Sequence, residues 1–263
     1  MTTHENATAQ PRAWQSVLEH IETRLVHGAL APGDRLPAER ELAAELGVGR
    51  SSVREALRVL EVMGLIRTAT GSGPQAGAIV IATPVGGMET LLRLQVAAQG
   101  FALADIVRTR LVLESTVVTT LAARHDRDHA LRNAYRVLEA MDAPDLAAHD
   151  FLALDARLHL ALAEASGNTV ITAVMAGLRT AIESYVREGS AHISQWPDMA
   201  ARLRNEHRSL IDAIAAGDAM RAATIVREHI LGYYTATGLV AASGADISMP
   251  ASTTLHTTPH KEH

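Results

Sequence analysis

The chain reads as a mainly α protein in two parts: an N-terminal winged helix-turn-helix with a small β wing, then an all-helical antiparallel bundle. Three observations predict this. Residues 34–66, DRLPAERELAAELGVGRSSVREALRVLEVMGLI, hold two amphipathic stretches joined by a glycine, with arginines along one face of the second. Two short apolar runs then flank a glycine-rich segment, TGSGPQAG. Beyond about residue 89 the apolar residues recur at helical spacing, with no strand-like alternation.

Composition bounds the rest. A chain of 263 residues suits two domains better than one. Hydrophobic residues make up 48% and aromatics only 3%, so the core must be mostly Leu, Ala, Val and Ile, which favours packed helices. A net charge of -5 is compatible with DNA binding, because a local basic face is what matters. The absence of cysteine excludes disulfides, thiolate metal sites and cysteine nucleophiles. No apolar run approaches the roughly 20 residues that span a bilayer. The N-terminal MTTHENATAQPR lacks the apolar core of a signal peptide. The expectation is a soluble, cytoplasmic protein with no membrane partner.

The elements follow in order. Residues 1–10 are small and polar and are expected to be disordered. Trp14, Leu18, Ile21 and Leu25 repeat at helical spacing and Gly28 is a stop, which predicts a first helix over about 14–27. Helix two is expected over about 38–46, with Gly47 as the turn, and helix three over about 50–63. Leu65–Arg67 and Ala78–Ile81 are the strand candidates, completing a DNA-binding domain over 11–82. Residues 83–88 read as a linker. Helices are then expected at about 89–99, 102–125, 127–141, 145–166, 168–189, 198–216 and 218–240. Gly100, Pro144, Gly167, Pro197 and Gly217 punctuate them. The tail, 241–263, is polar and low in complexity and is expected to be disordered.

On helix three, Val53, Ala56, Leu57 and Leu60 form an apolar stripe, while Arg50, Arg54 and Arg58 lie at i, i+4, i+8 on another face. A recognition helix needs this arrangement: its first residues reach base edges, and arginines fork onto guanine or neutralise phosphates. Ser51 and Ser52 sit at the helix start, where free amides can hold a phosphate. Arg40 is placed to touch the DNA backbone, and Gly71 and Gly73 would let a wing approach the minor groove. The bland alternative is a solvated arginine face, partly paired with Glu55 and Glu61.

The segment resembles the GntR family of bacterial regulators. Gly33–Ala43 match its G-D-x-L-P-x-E-R-x-L-A stretch and Gly47–Leu57 match G-V-x-R-x-x-V-R-x-A-L. The resemblance covers about residues 12–81 and implies DNA contacts by Arg40, Arg50, Arg54 and Gly71; Ser51 joins them as a DNA-binding candidate from its place at the helix start. Gly49 stands where the family often has serine, which removes a side-chain phosphate contact, and the wing is longer than usual.

In the second part, Asp155 and His159 lie one helical turn apart and point the same way, while His207 and His229 fall on two later helices. Imidazole and carboxylate together suit zinc, nickel, manganese or iron. By spacing alone surface or capping histidines, among the 13 in the chain, are the favoured reading. Residues 88–240 resemble the FCD effector domain of FadR-type GntR regulators, through RLVLESTVVTTLAAR, FLALDARLHLALAEASGN, EHRSLIDAIAAGD and REHI. That resemblance implies one divalent transition metal per chain, zinc first, held by Asp155, His159, His207 and His229. It also implies that Arg110 faces the effector cavity, where its donor fork suits a carboxylate. The alternative for Arg110 is a solvated pair with Glu114, one turn on. Asn168 reads as a helix cap.

These readings converge on a homodimeric, ligand-responsive transcription regulator, not an enzyme. It is expected to be a repressor released from a palindromic double-stranded DNA operator by a small hydroxy acid, sugar acid or dicarboxylate. Two alternatives stay open: a metal-dependent hydrolase in the helical domain, and a purely structural metal.

Overall fold

The computed structural model describes residues 12–69, 77–81, 84–98, 100–143, 146–190 and 195–238. It divides into two compact units. One holds the described residues up to Leu94 together with Asn168–Leu178; the other holds Gln95–Gly167 and the described residues from Arg179 onward.

The first unit opens with α1 (Ala13–Val26), α2 (Glu39–Leu46) and α3 (Arg50–Val62). Gly47 ends α2 in the left-handed region, at φ 65°, and so sets the angle between α2 and α3. Strands β1 (Ile66–Ala69) and β2 (Gly77–Val80) pair antiparallel, with Ile66 opposite Val80 and Ala69 opposite Gly77. The loop after α1 runs beside β2: Gly33 N donates to Val80 O, Val80 N to Asp34 O and Leu36 N to Ala78 O. Val17, Ile21, Leu42, Val53, Ala56, Leu60, Ile66 and Val80 form one core, with Trp14, Leu18 and Leu25 partly buried against it. This is a winged helix-turn-helix. The tip of the wing, with Gly71 and Gly73, lies outside the described residues.

Helix α4 (Pro84–Ala97) replaces the linker expected at 83–88. Proline and glycines there read as breakers, but proline is well suited to a first helical turn, where its missing N–H costs nothing. Gly87 lies so close to α3 that a Cβ would fall 1.9 Å from Met63 O, so the glycine serves close packing. The start of α9 (Thr169–Ser190) belongs to the same unit, with Gly177 against Leu92 and Glu89 of α4. Asn168 caps α9: its Oδ1 accepts from Val170 N and Ile171 N, both at 3.1 Å.

The second unit comprises α5 (Leu103–Ala123), α6 (Arg127–Ala130), α7 (Arg132–Met141), α8 (Ala148–Ser166), the later part of α9, α10 (Trp196–Ala215) and α11 (Ala219–Ala236). The single helix expected over 127–141 is broken at Leu131, which is completely buried. Just before the break, Arg127 donates to Ala215 O of α10 and Arg124 O, both at 2.8 Å. Helix α5 packs along α11, α8 and α10. The core is aliphatic, as the composition requires. Aromatic contacts are few: Phe151 and Trp196 meet edge-on at 5.7 Å, with Arg204 over the Phe151 ring, and Tyr233 meets Tyr234 edge-on at 6.0 Å. Among the described residues no helix is long and apolar enough to cross a membrane.

Candidate metal centre and nucleic-acid interface

Helix α3 turns its apolar stripe inward: Val53, Ala56, Leu57 and Leu60 are buried, while Arg50, Ser51, Arg54 and Arg58 are exposed. Arg40, on the first turn of α2, is also exposed. The arginines do not pair with Glu55 and Glu61 as the bland reading had it. Arg54 Nε donates instead to Glu39 Oε2 of α2 at 2.8 Å, and Glu61 accepts from Thr68 N and Oγ1 at 2.8 and 2.6 Å. Glu61 therefore ties the root of the wing to α3, and these bonds hold its carboxyl below the usual range. An open groove of about 450 Å³ runs between α2, α3 and the wing, lined by Glu39, Arg54, Arg58, Glu61 and Thr68 among others. No side chain caps the start of α3, which leaves the positive end of its dipole for an anion.

The second cluster is buried. Asp155 and His159 project from one face of α8, His207 from α10 and His229 from α11; each is under a tenth exposed and His207 is 0%. One ligand atom from each lies within 4.8 Å of all the others. Asp155 Oδ1 is 3.0 Å from His207 Nε2 and 3.7 Å from His229 Nε2; Asp155 Oδ2 is 3.9 Å from His159 Nε2. His159 Nε2 and His229 Nε2 are 3.2 Å apart. Bonds of about 2.0–2.2 Å to one ion put neighbouring ligands roughly 3–4 Å apart. The set therefore fits a metal ion.

Two further carboxylates fix the rings. Glu206 Oε2 accepts from His229 Nδ1 at 2.8 Å. Glu114 Oε2 lies 2.5 Å from His159 Nδ1, an ion pair off the line of a hydrogen bond, and Glu114 Oε1 accepts from Arg110 Nε at 2.7 Å. Carboxylates on the Nδ1 side favour the tautomer whose Nε2 carries the lone pair, which is the metal-binding form. Two such lone pairs facing each other at 3.2 Å repel unless a proton or a metal ion stands between them. His207 points the same way. Its Nε2 is close to Asp155 but off the line of a hydrogen bond, and both its ring nitrogens are buried without a hydrogen-bond partner. Such orphaned groups cost about 1–3 kcal/mol each, and an ion taking Nε2 would satisfy one of them.

Electrostatics agree. Burial would raise the Asp155 carboxyl, but His207 and the other imidazoles hold it well below the usual range. Burial pushes His207 down to about 4, with the neighbouring His229 adding to it, so the imidazole is neutral and ready to coordinate. For His159 burial is the largest influence and acts downward, but the charge and close contact of Glu114, together with the charge of Asp155, outweigh it and raise the pKa. Burial alone would raise Glu114, yet Arg110 and then His159 hold it at about 2.

Arg110 is buried at 3% exposure, so its pair with Glu114 is not the solvated one that the bland reading expected. Its Nη1 also donates to Tyr234 Oη at 3.3 Å. Arg110 lines a small cavity of about 10 Å³ with Asp155, His229, Ile230, Tyr233 and Tyr234. Sequence reasoning missed Glu206 and Tyr234 and saw Glu114 only as a partner of Arg110. A weak signal existed for Glu206: Glu-His pairs recur at 206–207 and 228–229, but only the fold shows that Glu206 serves His229.

A DNA-reading head joined to a helical domain with a buried ligand-competent cluster defines a class of protein, the transcription regulators. The family model described as bacterial regulatory proteins, gntR family, matches residues 14–74, and the FCD domain model matches residues 105–232. The chain carries a GntR-family helix-turn-helix domain followed by an FCD domain; these families and the relatives are transcription regulators, not enzymes. An Escherichia coli K12 protein named for regulating the L-lactate dehydrogenase operon is 29% identical over 227 residues, covering 85% of this chain and 86% of its own. The Glc operon transcriptional activator of the same organism is 27% identical over 218 residues, 81% and 84% of the two chains. The transcriptional repressor NanR of Enterobacter sp. strain 638 is 27% identical over 224 residues, 84% of each. Among solved structures, Streptococcus agalactiae GntR superposes with a TM-score of 0.57 at 24% identity, covering 83% of this chain and 97% of its own, a likeness of fold.

Proposed function

We propose that the protein is a cytoplasmic, homodimeric regulator whose affinity for a palindromic operator is set by a small carboxylate bound at a metal ion. The observation that carries this is the buried Asp155, His159, His207 and His229 group, with Arg110 lining the same small cavity. When bound, the ion, zinc first among the candidates, supplies a cation to one oxygen of the ligand. Four protein ligands leave a six-coordinate ion two positions for water or a carboxylate. Arg110, kept charged by Glu114 against the effect of burial, supplies planar donors to the ligand. Arg40, Arg50, Ser51 and Arg54 would grip DNA, with Gly71 at the wing. The relatives include both an activator and a repressor; release of a repressor is the reading favoured here.

Thermal-shift titration of the zinc-loaded protein with hydroxy acids, sugar acids and dicarboxylates tests this. At least one acid should raise Tm and change operator affinity by about 5- to 150-fold. Arg110→Ala should keep the metal and bind DNA, yet lose that response. One observation favours a second reading, a structural metal without effector: the cavity beside it is only about 10 Å³. On that reading no acid shifts Tm and Arg110→Ala changes only stability.

A further inference from the structure

We propose that Tyr234 is a built-in occupant of the ligand-facing edge of Arg110, which an incoming carboxylate must displace, so that binding is read out as a movement of the end of α11. This rests on the carboxylate reading above and specifies how that site is regulated.

A guanidinium offers a carboxylate two edges with paired donors, Nε with Nη2 and Nη1 with Nη2. Glu114 takes Nε and Tyr234 takes Nη1, so neither edge is free. A carboxylate is a stronger acceptor than a neutral phenol, because its hydrogen bond with Arg110 is charge-assisted on both sides. It can therefore outcompete Tyr234, whereas Glu114, itself an anion held also against His159, stays.

Space requires the same exchange. The cavity of about 10 Å³ has room for roughly one water molecule, and a carboxylate group is larger. Of its lining, Asp155 and His229 belong to the buried cluster and Arg110 is anchored by Glu114. The remaining residues, Ile230, Tyr233 and Tyr234, all lie on the last two turns of α11. Tyr234 is 0% exposed and Tyr233 5%, and their rings meet edge-on at 6.0 Å. Opening the cavity therefore displaces both rings, and α11 with them.

The test uses the zinc-loaded full chain and its Tyr234→Phe variant, titrated with acetate, L-lactate and citrate by calorimetry. Tyr234→Phe keeps the ring and removes the bond to be broken. It should retain zinc and bind the same acid about 2- to 10-fold more tightly. Unchanged or weaker affinity overturns the proposal, the latter showing that the hydroxyl holds the ligand. If neither protein responds to any of the three acids, the carboxylate reading falls and this one with it. Hydrogen exchange on the unaltered protein decides the matter should the variant not fold. The acid with the largest heat should change amide protection across residues 230–236, and unchanged exchange there overturns the displacement.

Discussion

Glu206 tests the proposed metal centre from outside it, because it touches the candidate ligand His229 without belonging to the cluster itself. Its Oε2 accepts from His229 Nδ1 at 2.8 Å. Replacing such an outer carboxylate typically costs 10- to 100-fold in metal affinity, about 1.4–2.8 kcal/mol. The structure decides where in that range each variant falls. Glu206 is about a quarter exposed and shares its charge with Arg202, 3.4 Å away. It also borders an open groove of about 280 Å³ between α10 and α11, where water can replace a lost acceptor. Glu206→Gln keeps an acceptor oxygen and loses only the charge, so it should weaken zinc binding about tenfold. Glu206→Ala should fall further. Glu114 faces the other case. It is 4% exposed on its side chain and holds His159 and Arg110 together, so Glu114→Gln should cost more than Glu206→Gln, toward 100-fold. Competition against a chromophoric chelator at fixed pH measures all three, with circular dichroism as the check on folding. Affinities for both Glu206 variants within about twofold of the parent would refute the reasoning.

Two further outcomes follow from the same geometry. Arg50→Ala and Arg54→Ala should each weaken binding to a selected operator by about 1–3 kcal/mol at fixed salt, with Arg54 at the lower end because it must first leave or share Glu39; unchanged affinity in both variants, read by fluorescence anisotropy, removes α3 as the reader. Zinc affinity should fall with falling pH: the raised pKa of His159 means the metal-free fold holds that proton below a point above 6.5, whereas His207 stays neutral down to about 4. That proton stabilises the metal-free protein below the unfolded pKa and is lost as pH rises through the folded value, while zinc must expel it, so the Tm gap between loaded and metal-free protein should narrow on acidification. A gap constant from pH 8 to 5.5 would contradict this.

What the sequence made legible was whatever depends on local periodicity. The stripe Val53, Ala56, Leu57 and Leu60 could only face inward, so the exposed arginines followed. Asp155 and His159 shared a face because a helix repeats every 3.6 residues. The failures came where tertiary packing overrides local signals. Pro84 and Gly87 looked like a linker, but Gly87 is small because α4 lies against Met63, just past the end of α3. Leu131 sat in an unbroken helical pattern, and its complete burial beside a turn had no local signature. Glu206 and Tyr234 act on residues 23 and 124 positions away, separations at which no spacing rule operates.

One carboxylate joins the two halves of the candidate effector site. Glu114 gives Oε1 to Arg110 and Oε2 to His159, so the arginine proposed to hold the ligand and a histidine proposed to hold the metal lean on the same buried side chain. A metal that fixes His159 thereby fixes Glu114, and with it the orientation of the guanidinium. Because coupling between two bound species is reciprocal in free energy, a carboxylate held by Arg110 should in turn strengthen retention of the metal. Neither can change DNA affinity by tightness alone, since only a difference in affinity between the two DNA-binding states moves the equilibrium. On the proposed reading that difference lies at Tyr234. With its hydroxyl on Arg110 the cavity is closed, and with a carboxylate there the end of α11 must shift, so the two states differ in a helix packed against α5 and α10 rather than in the site alone.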